Sequence, residues 1–235
     1  MAELTDKQLH QVLANKRKAT KVVLAEKPPV GKAMEKVRVA SARVAASPPT
    51  ETERDVTVGI PPRFRPYRLT PEHWPSALLS LVEPWLEDRQ SWSLYLHGPT
   101  DARKTTFAAA VLMDLRARDR RSGGSQGLFL PAYKAVGVFR NIHDENQREL
   151  IRQYARTPWL VLDDLGKHRD TPHVIEQMLM LLHERYDWHD PERMTKTILT
   201  ANMDLDELAK RIDGATARRL AEGLVVQMTV PSVQQ

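Results

Sequence analysis

The sequence predicts an α/β protein with a mostly parallel sheet that is covered by helices on both faces. Short apolar runs of strand length recur along residues 58–235, and helical stretches separate them. The five predicted strands are SLYLH at 93–97, GLFLP at 127–131, WLVLDD at 159–164, TILTAN at 197–202 and LVVQMTV at 224–230. Parallel strands need crossover helices, which bury both faces of the sheet, and ligands then bind at the carboxyl ends of the strands.

Helices are predicted where apolar residues recur at helical spacing. Residues 71–88 place Trp74 and a row of leucines and valines on one side. The other predicted helices of this part are 104–119, helical stretches across 132–156, 172–187 and 204–221. Each of these four follows a predicted strand, which agrees with the alternating order.

The first fifth of the chain is predicted to be a separate basic, helical region. Residues 1–54 hold 11 basic and 6 acidic side chains, whereas the remainder holds 24 of each, so the net charge of +5 belongs to the N-terminal part. Helices are predicted at 5–26 and 32–46, and the proline-rich residues 47–57 are a predicted linker. Such a charge favours a nucleic acid or an acidic protein surface as partner, with a solvated tail as the alternative.

The composition excludes several classes of site. The 235 residues contain no cysteine, so the chain has no disulfide, no thiol nucleophile and no zinc site with cysteine ligands. The first ten residues lack the apolar core of a signal peptide, and the longest apolar runs are too short to cross a bilayer. We expect a cytoplasmic protein that does not contact membranes.

Residues 98–105, GPTDARKT, follow a predicted strand and open a predicted helix, which is the setting of a phosphate-binding loop. In such loops backbone N–H groups hold the phosphates, the lysine reaches the β and γ phosphates, and the following hydroxyl ligates Mg²⁺. The pattern asks for glycine before Lys104, but the chain has Arg103, whose side chain hinders the backbone angles that glycine permits, and Asp101 adds a negative charge. Without further support, a string of this kind is more often a coincidence. The candidate ATP-binding residues are Gly98, Pro99, Thr100, Asp101, Ala102, Arg103, Lys104, Thr105 and Thr106.

Polar side chains at the ends of two further strands supply that support. Asp163 and Asp164 end the apolar strand WLVLDD, 59 residues after Lys104, and Asn202 ends TILTAN. Thr105 and one of the two carboxylates would hold Mg²⁺, the other carboxylate would polarise the attacking water, and Asn202 would orient water near the γ-phosphate. Taken singly, an aspartate pair is usually a cap or a turn, and Asn202 is equally consistent with a helix N-cap.

A basic pair and a basic strip complete the candidate residues. Arg218 and Arg219 lie on a predicted helix before the last strand, where one of them would contact phosphate and at least one would face solvent. Residues 63–68, RFRPYR, alternate cations with aromatic rings, which suits a single nucleic-acid strand. The alternative is a segment that wraps the edge of the core, with its rings buried and its arginines solvated.

These segments together resemble the DnaC/IstB-like AAA+ ATPases. GIPPRFRPYRL, the loop at 98–105, WLVLDDLGKHRDTP, ILTANMDLDEL and DGATARRL occur in the order and spacing of that family over about 58–230. The resemblance implies a three-layer α/β/α P-loop NTPase core with a five-stranded, mostly parallel sheet at 58–235, preceded by a small helical region. It also implies ATP and Mg²⁺ as cofactors, a replicative helicase bound through residues 1–46, and single-stranded DNA as a partner.

The resemblance assigns roles to single residues. Lys104 and Thr105 match the phosphate-loop pair, Asp163 the metal-holding acid and Asp164 the catalytic carboxylate. Asn202 matches the first sensor, and Arg219 matches the second-sensor arginine.

Two departures from the family pattern bear on activity. The family's loop usually reads Gly-Thr-Gly where this chain has Asp101-Ala102-Arg103, and the position of the usual arginine finger holds Ala215. Both favour a helicase-loader-like protein with weak or absent ATP hydrolysis. Two alternatives stay open: an active DNA-dependent ATPase in which Arg211 or Arg218 replaces the finger, and an IstB-like transposition helper. The resemblance also allows a homo-oligomer.

Overall fold

The computed structural model describes residues 20–23, 59–119, 127–135, 145–166 and 172–229. A six-stranded sheet forms the centre of this part, with strand order β1-β6-β2-β5-β4-β3 and parallel pairing throughout. The strands are β1 (Thr20–Val23), β2 (Ser93–His97), β3 (Gly127–Pro131), β4 (Trp159–Leu165), β5 (Lys196–Ala201) and β6 (Leu224–Thr229).

Helices connect the strands as crossovers. They are α1 (Ser76–Glu87), α2 (Lys104–Asp119), α3 (Glu145–Ala155), α4 (Pro172–Asp187), α5 (Leu205–Arg211) and α6 (Gly214–Leu220), with a short 3-10 helix at Pro62–Phe64. The five predicted strands, their parallel pairing and the flanking helices are confirmed, and β1 adds a sixth strand. The predicted helix 71–88 begins only at Ser76, after Pro75, because a residue that precedes proline is disfavoured in the helical conformation.

Alternate residues of each central strand enter two separate apolar clusters. In β2, Leu94 and Leu96 pack in the cluster that contains α1 and α2, whereas Tyr95 packs in the cluster that contains α3, α4, α5 and α6. Successive side chains of a strand point to opposite faces, so helices cover both faces of the sheet. The arrangement is the expected three-layer α/β/α core.

Strand β1 corrects one prediction. Thr20–Val23 pair in parallel with Val226–Thr229, so the predicted helix 5–26 is wrong at these four residues. The segment is rich in β-branched residues, which favour a strand where an open sheet edge can accept one. The rest of that helix, the predicted helix 32–46 and the linker 47–57 lie outside the described residues.

Two buried cations close the amino edge of the sheet. Lys196 Nζ donates to the carbonyl oxygens of Trp85 at 3.0 Å, Ser91 at 2.7 Å and Asp88, and burial lowers its pKa to about 8. Arg185 donates to the carbonyl oxygens of Ala155 and Lys196 at 2.9 and 2.6 Å. Lys196 thereby binds the carboxyl end of α1, and Arg185 binds that of α3. The last carbonyl groups of a helix lack partners within the helix, and positive charge is favourable there.

Among the described residues, no helix combines the length and the apolar character needed to cross a bilayer.

Candidate functional site

The loop 98–103 joins β2 to α2 at the carboxyl edge of the sheet. Gly98 has φ +143°, and a Cβ atom placed there would lie 1.9 Å from the carbonyl oxygen of Met228 in β6. No side chain fits such a gap, so the loop can start only with glycine. This close approach fixes the loop against the neighbouring strand.

Two residues of the loop adopt a backbone conformation that usually belongs to glycine. Asp101 has φ +68° and Arg103 has φ +57°. The left-handed region costs a residue with a side chain about 1–2 kcal/mol. The chain therefore has left-handed backbone at both positions where the family pattern has glycine, although the sequence suggested that the side chain of Arg103 would hinder it.

The side chain of Arg103 extends from the loop onto an aromatic face. Its Cζ lies 4.5 Å from the ring centre of Trp74 and 5.4 Å from that of Tyr67, and Nη1 donates to the carbonyl oxygen of His73 at 3.4 Å. Each cation–π contact contributes about 0.5–2 kcal/mol. These contacts offset the backbone strain at the same residue.

Lys104 connects the loop to the end of β5. Its Nζ donates to Gly98 O at 2.9 Å, to Pro99 O at 2.7 Å and to Asn202 Oδ1 at 2.9 Å. The side chain of Lys104 is only 8 % exposed. Without a ligand, the ammonium group is therefore bound by the protein's own oxygens.

Asn202 is not the cap of the helix that follows it. Asp204 caps α5, because its Oδ1 accepts from Glu207 N at 2.8 Å while Glu207 Oε2 accepts from Asp204 N at 3.2 Å. The Asn202 side chain instead accepts the hydrogen bond from Lys104 Nζ. The helix-cap alternative for Asn202 does not describe this structure.

Asp163 and Asp164 reach the same edge from β4. Thr200 Oγ1 in β5 donates to Asp163 Oδ1 at 2.7 Å and accepts from Asp164 N at 2.8 Å. Burial raises the pKa of Asp163, while hydrogen bonds from Thr200 and Thr105 oppose this shift. A buried carboxylate and a hydroxyl supply oxygen ligands of the kind that Mg²⁺ prefers.

His97 is a further buried titratable group at this edge. It is the last residue of β2, directly before the loop, and its pKa is lowered, first by burial and then by the charge of Lys104, against the opposing charge of Asp204. The imidazole is therefore neutral at pH 7 and adds no positive charge.

The residues fit a magnesium–phosphate group. The loop backbone, Lys104 and the N-terminus of α2 would hold phosphates, and Thr105 with Asp163 would hold Mg²⁺, which keeps several waters and binds few carboxylates. The described residues contain no cluster of three or more His, Cys, Asp or Glu side chains that could hold a metal by itself. A metal here would depend on the phosphates for further ligands.

Arg219 is not brought to this cluster within one chain. Its Cζ lies 4.6 Å from the ring centre of Tyr186, and its carbonyl oxygen accepts from Trp92 Nε1 at 2.9 Å. Trp92 directly precedes β2, so Arg219 lies at the amino edge, opposite the loop. Arg218 is exposed, and Ala215 provides no arginine finger on α6. The catalytic role of Arg219 stays a prediction.

The basic strip at 63–68 wraps the edge of the core. Phe64 and Tyr67 pack against the cluster of α1 and α2, Arg65 Nε donates to Ile60 O at 3.1 Å, and Arg68 Nη1 donates to Tyr67 O at 2.9 Å. Two of its three guanidinium groups thus bind the protein's own backbone. This geometry favours the wrapping alternative over a free nucleic-acid surface.

Sequence reasoning assigned no role in the site to two sets of residues that shape it. Thr200 orients Asp163, and its position two residues before Asn202 placed both on one side of the strand, which is a usable signal. Tyr67 and Trp74 hold Arg103 across about thirty residues of sequence. No local sequence pattern predicts that contact.

Comparisons with known proteins place the fold. No protein-family model matches the chain, and no curated protein sequence matches it significantly. A crystal structure of the DnaC helicase loader is 20% identical, with a TM-score of 0.59 over 72% of this chain and 100% of the other. A crystal structure of DnaI is 17% identical, with a TM-score of 0.54 over 75% and 93%.

A putative primosome component from Streptococcus pyogenes serotype M3 is 18% identical, with a TM-score of 0.53 over 76% and 97%. These three structures are covered almost completely, and the strand order and the loop agree with a P-loop core. The chain therefore has the fold seen in the crystal structure of the DnaC helicase loader.

Proposed function

We propose that the protein is a helicase-loader-like factor that binds a replicative helicase, and single-stranded DNA, with weak or absent ATP hydrolysis. The observation that carries this proposal is the loop at 98–105, in which Asp101 and Arg103 have left-handed backbone while the side chains of Arg103 and Lys104 contact the protein itself. One structural neighbour is named as a helicase loader, and another is named as a putative primosome component. A loader acts by binding, so it can function as a scaffold.

The site has the groups that a P-loop ATPase needs for binding. When MgATP binds, it would supply the phosphoryl group, and Lys104 would move from Gly98 O and Pro99 O to the phosphates. Thr105 and Asp163 would hold the metal, and Asp164 would accept a proton from the attacking water. Asn202, already within 2.9 Å of Lys104, would keep that ammonium in place.

Turnover lacks two of the usual contributions. Asp101 adds an exposed negative charge to the loop, which opposes phosphate binding. At the finger position, Ala215 offers no cation to a neighbouring subunit, and an arginine finger accelerates P-loop enzymes by about 10³ to 10⁵. Arg219 packs on Tyr186 at the opposite edge of the sheet, so it supplies no cation to the loop of its own chain. The rate should therefore be low even where ATP binds.

The partner assignments rest on charge and on fold. The N-terminal residues 1–46 carry most of the basic excess, and we assign helicase binding to them, with the remaining chain as the AAA+ domain after a linker at 47–57. Positive charge steers a protein to acidic partners such as DNA. A replication role of this kind places the protein in the cytoplasm.

An ATPase assay with a matched variant tests the proposal. We expect the full chain, with Mg²⁺ and single-stranded DNA, to hydrolyse ATP no faster than Lys104→Ala within about threefold. Size-exclusion chromatography with the replicative helicase of the same genome should show a complex in which Lys104→Ala also takes part. Robust hydrolysis that Lys104→Ala abolishes would establish the active-ATPase alternative. Binding to a transposase instead of the helicase would establish the transposition helper.

A further inference from the structure

The aromatic face beside the phosphate loop is rigidly built. Trp74 is 2 % exposed, donates from Nε1 to Arg68 O at 2.9 Å, and packs edge-to-face on Phe107 of α2 with ring centres 4.8 Å apart. Tyr67 lies beside it, with ring centres 6.3 Å apart. The two rings, called here the Tyr67–Trp74 face, hold a fixed position relative to the first turn of α2.

This face is the kind of surface that a nucleotide base uses. Bases stack on aromatic side chains whatever their sequence, because every base has a π face. The Tyr67–Trp74 face touches the loop through Arg103, so it lies beside the position where phosphates would bind. A nucleotide held at the loop would have its base within reach of these rings.

Arg103 already occupies the face. Its guanidinium group lies over both rings, at 4.5 and 5.4 Å, and hydrogen-bonds to His73 O. A planar cation that stacks on aromatic rings takes the position of a stacked base. To stack there, a base would have to displace the guanidinium group of Arg103. This group is part of the chain and loses no translational entropy when it binds the rings, whereas a free nucleotide does.

We propose that Arg103 is a specificity-determining residue that fills the base position from within the chain, so that the loop selects ligands by their phosphates alone. The inference rests on the proposed function, in which residues 98–105 bind phosphate. It follows that inorganic tripolyphosphate binds the natural protein about as well as ATP does. Removal of the guanidinium group frees the face and creates a preference for the nucleotide.

Two substitutions separate the side chain from the backbone. Arg103→Ala removes the guanidinium group but keeps a Cβ atom at φ +57°, so the loop stays strained. Arg103→Gly removes the guanidinium group and also relaxes the backbone. If the face is what matters, both variants should gain the preference for ATP. Arg148→Ala, at an exposed arginine of α3, controls for the loss of one positive charge.

The experiment measures the affinities of ATP and of tripolyphosphate with Mg²⁺ by calorimetry on the full chain. The wild-type chain and Arg148→Ala should bind the two ligands within about threefold of each other. In Arg103→Ala the affinity for ATP relative to tripolyphosphate should rise by about 5- to 150-fold, the range for one base on an aromatic ring. Adding Tyr67→Leu to Arg103→Ala should reduce that gain, and thermal melting checks that each variant is folded.

The possible failures are distinguishable. If the wild-type chain prefers ATP by tenfold or more, or if Arg103→Ala changes both affinities equally, the inference is overturned while the phosphate site stands. If only Arg103→Gly gains affinity, and for both ligands, backbone strain is the determinant and the inference is again overturned. If tripolyphosphate binds neither the wild-type chain nor any variant, the phosphate site fails, and the inference fails with it.

Discussion

Lys104 should stabilise the protein in the absence of any ligand. The residue is 8 % exposed, and its ammonium group donates to Gly98 O, Pro99 O and Asn202 Oδ1 at 2.9, 2.7 and 2.9 Å. Hydrogen bonds of a charged group contribute about 1.5–3 kcal/mol each, and burial of the charge cancels part of the sum. We therefore expect Lys104→Met to lower the free energy of unfolding by about 2–4 kcal/mol.

Urea denaturation and thermal melting without nucleotide provide the assay. For a domain of this size, each kcal/mol shifts the melting temperature by about 2–4 °C, so Lys104→Met should melt roughly 5–15 °C lower. Lys134→Met, at an exposed lysine after β3, is the matched control and should change little.

A double-mutant cycle with Asn202→Ala isolates one of the three contacts. Because the two side chains are joined directly, the cycle should show a coupling of about 1 kcal/mol or more. Additive effects within about 0.5 kcal/mol, or a Lys104→Met variant as stable as the natural protein, would refute the geometry on which this reasoning depends.

Three further predictions concern stability. Burial lowers the pKa of Lys196 from its usual 10.5 to about 8, so the unfolded chain holds more protons between these pH values. The unfolding free energy of the natural protein, relative to Lys196→Met, should then rise by up to about 1.4 kcal/mol per pH unit from pH 8 to 10 in urea titrations; parallel curves would contradict this. Asp101→Gly removes the strain at φ +68° and should raise stability by about 0.5–1 kcal/mol after the entropy of glycine is subtracted, so a lower melting temperature would count against the assigned loop conformation. Gly98→Ala places a Cβ atom against Met228 O and should cost about 2–4 kcal/mol, and near-normal melting would show that the loop does not approach β6 so closely.

Local sequence patterns predicted most of the sheet and its helices. The strand at 93–97 and the helix at 104–119 have the predicted bounds, because the run SLYLH and the start of the phosphate loop both mark them. The predicted helix 204–221 is two helices instead, since Asp213 Oδ2 accepts from Thr216 N at 2.6 Å and starts α6 anew. An aspartate before glycine is a visible cap signal, but the apolar spacing across it had suggested continuity.

Contacts between distant segments lay beyond sequence reasoning. Whether residues 20–23 form helix or strand depends on the open edge of β6, which lies about two hundred residues away. The same holds for Arg219, which its position in the sequence connects with phosphate but which packs on Tyr186 at the opposite edge of the sheet. The direction of a side chain depends on its neighbours in space, and these neighbours cannot be identified from one sequence.

The sequence by itself determined the order of strands and helices and the residue types that meet at one edge of the sheet: Lys104, Thr105, Asp163, Asp164 and Asn202. These features follow from local periodicity and from the rule that parallel strands end at a common edge. Only the tertiary structure decided how the loop tolerates Arg103. The left-handed backbone there is strained, and it is held because Tyr67 and Trp74, some thirty residues earlier, offer the guanidinium group a surface that exists only after the chain has folded.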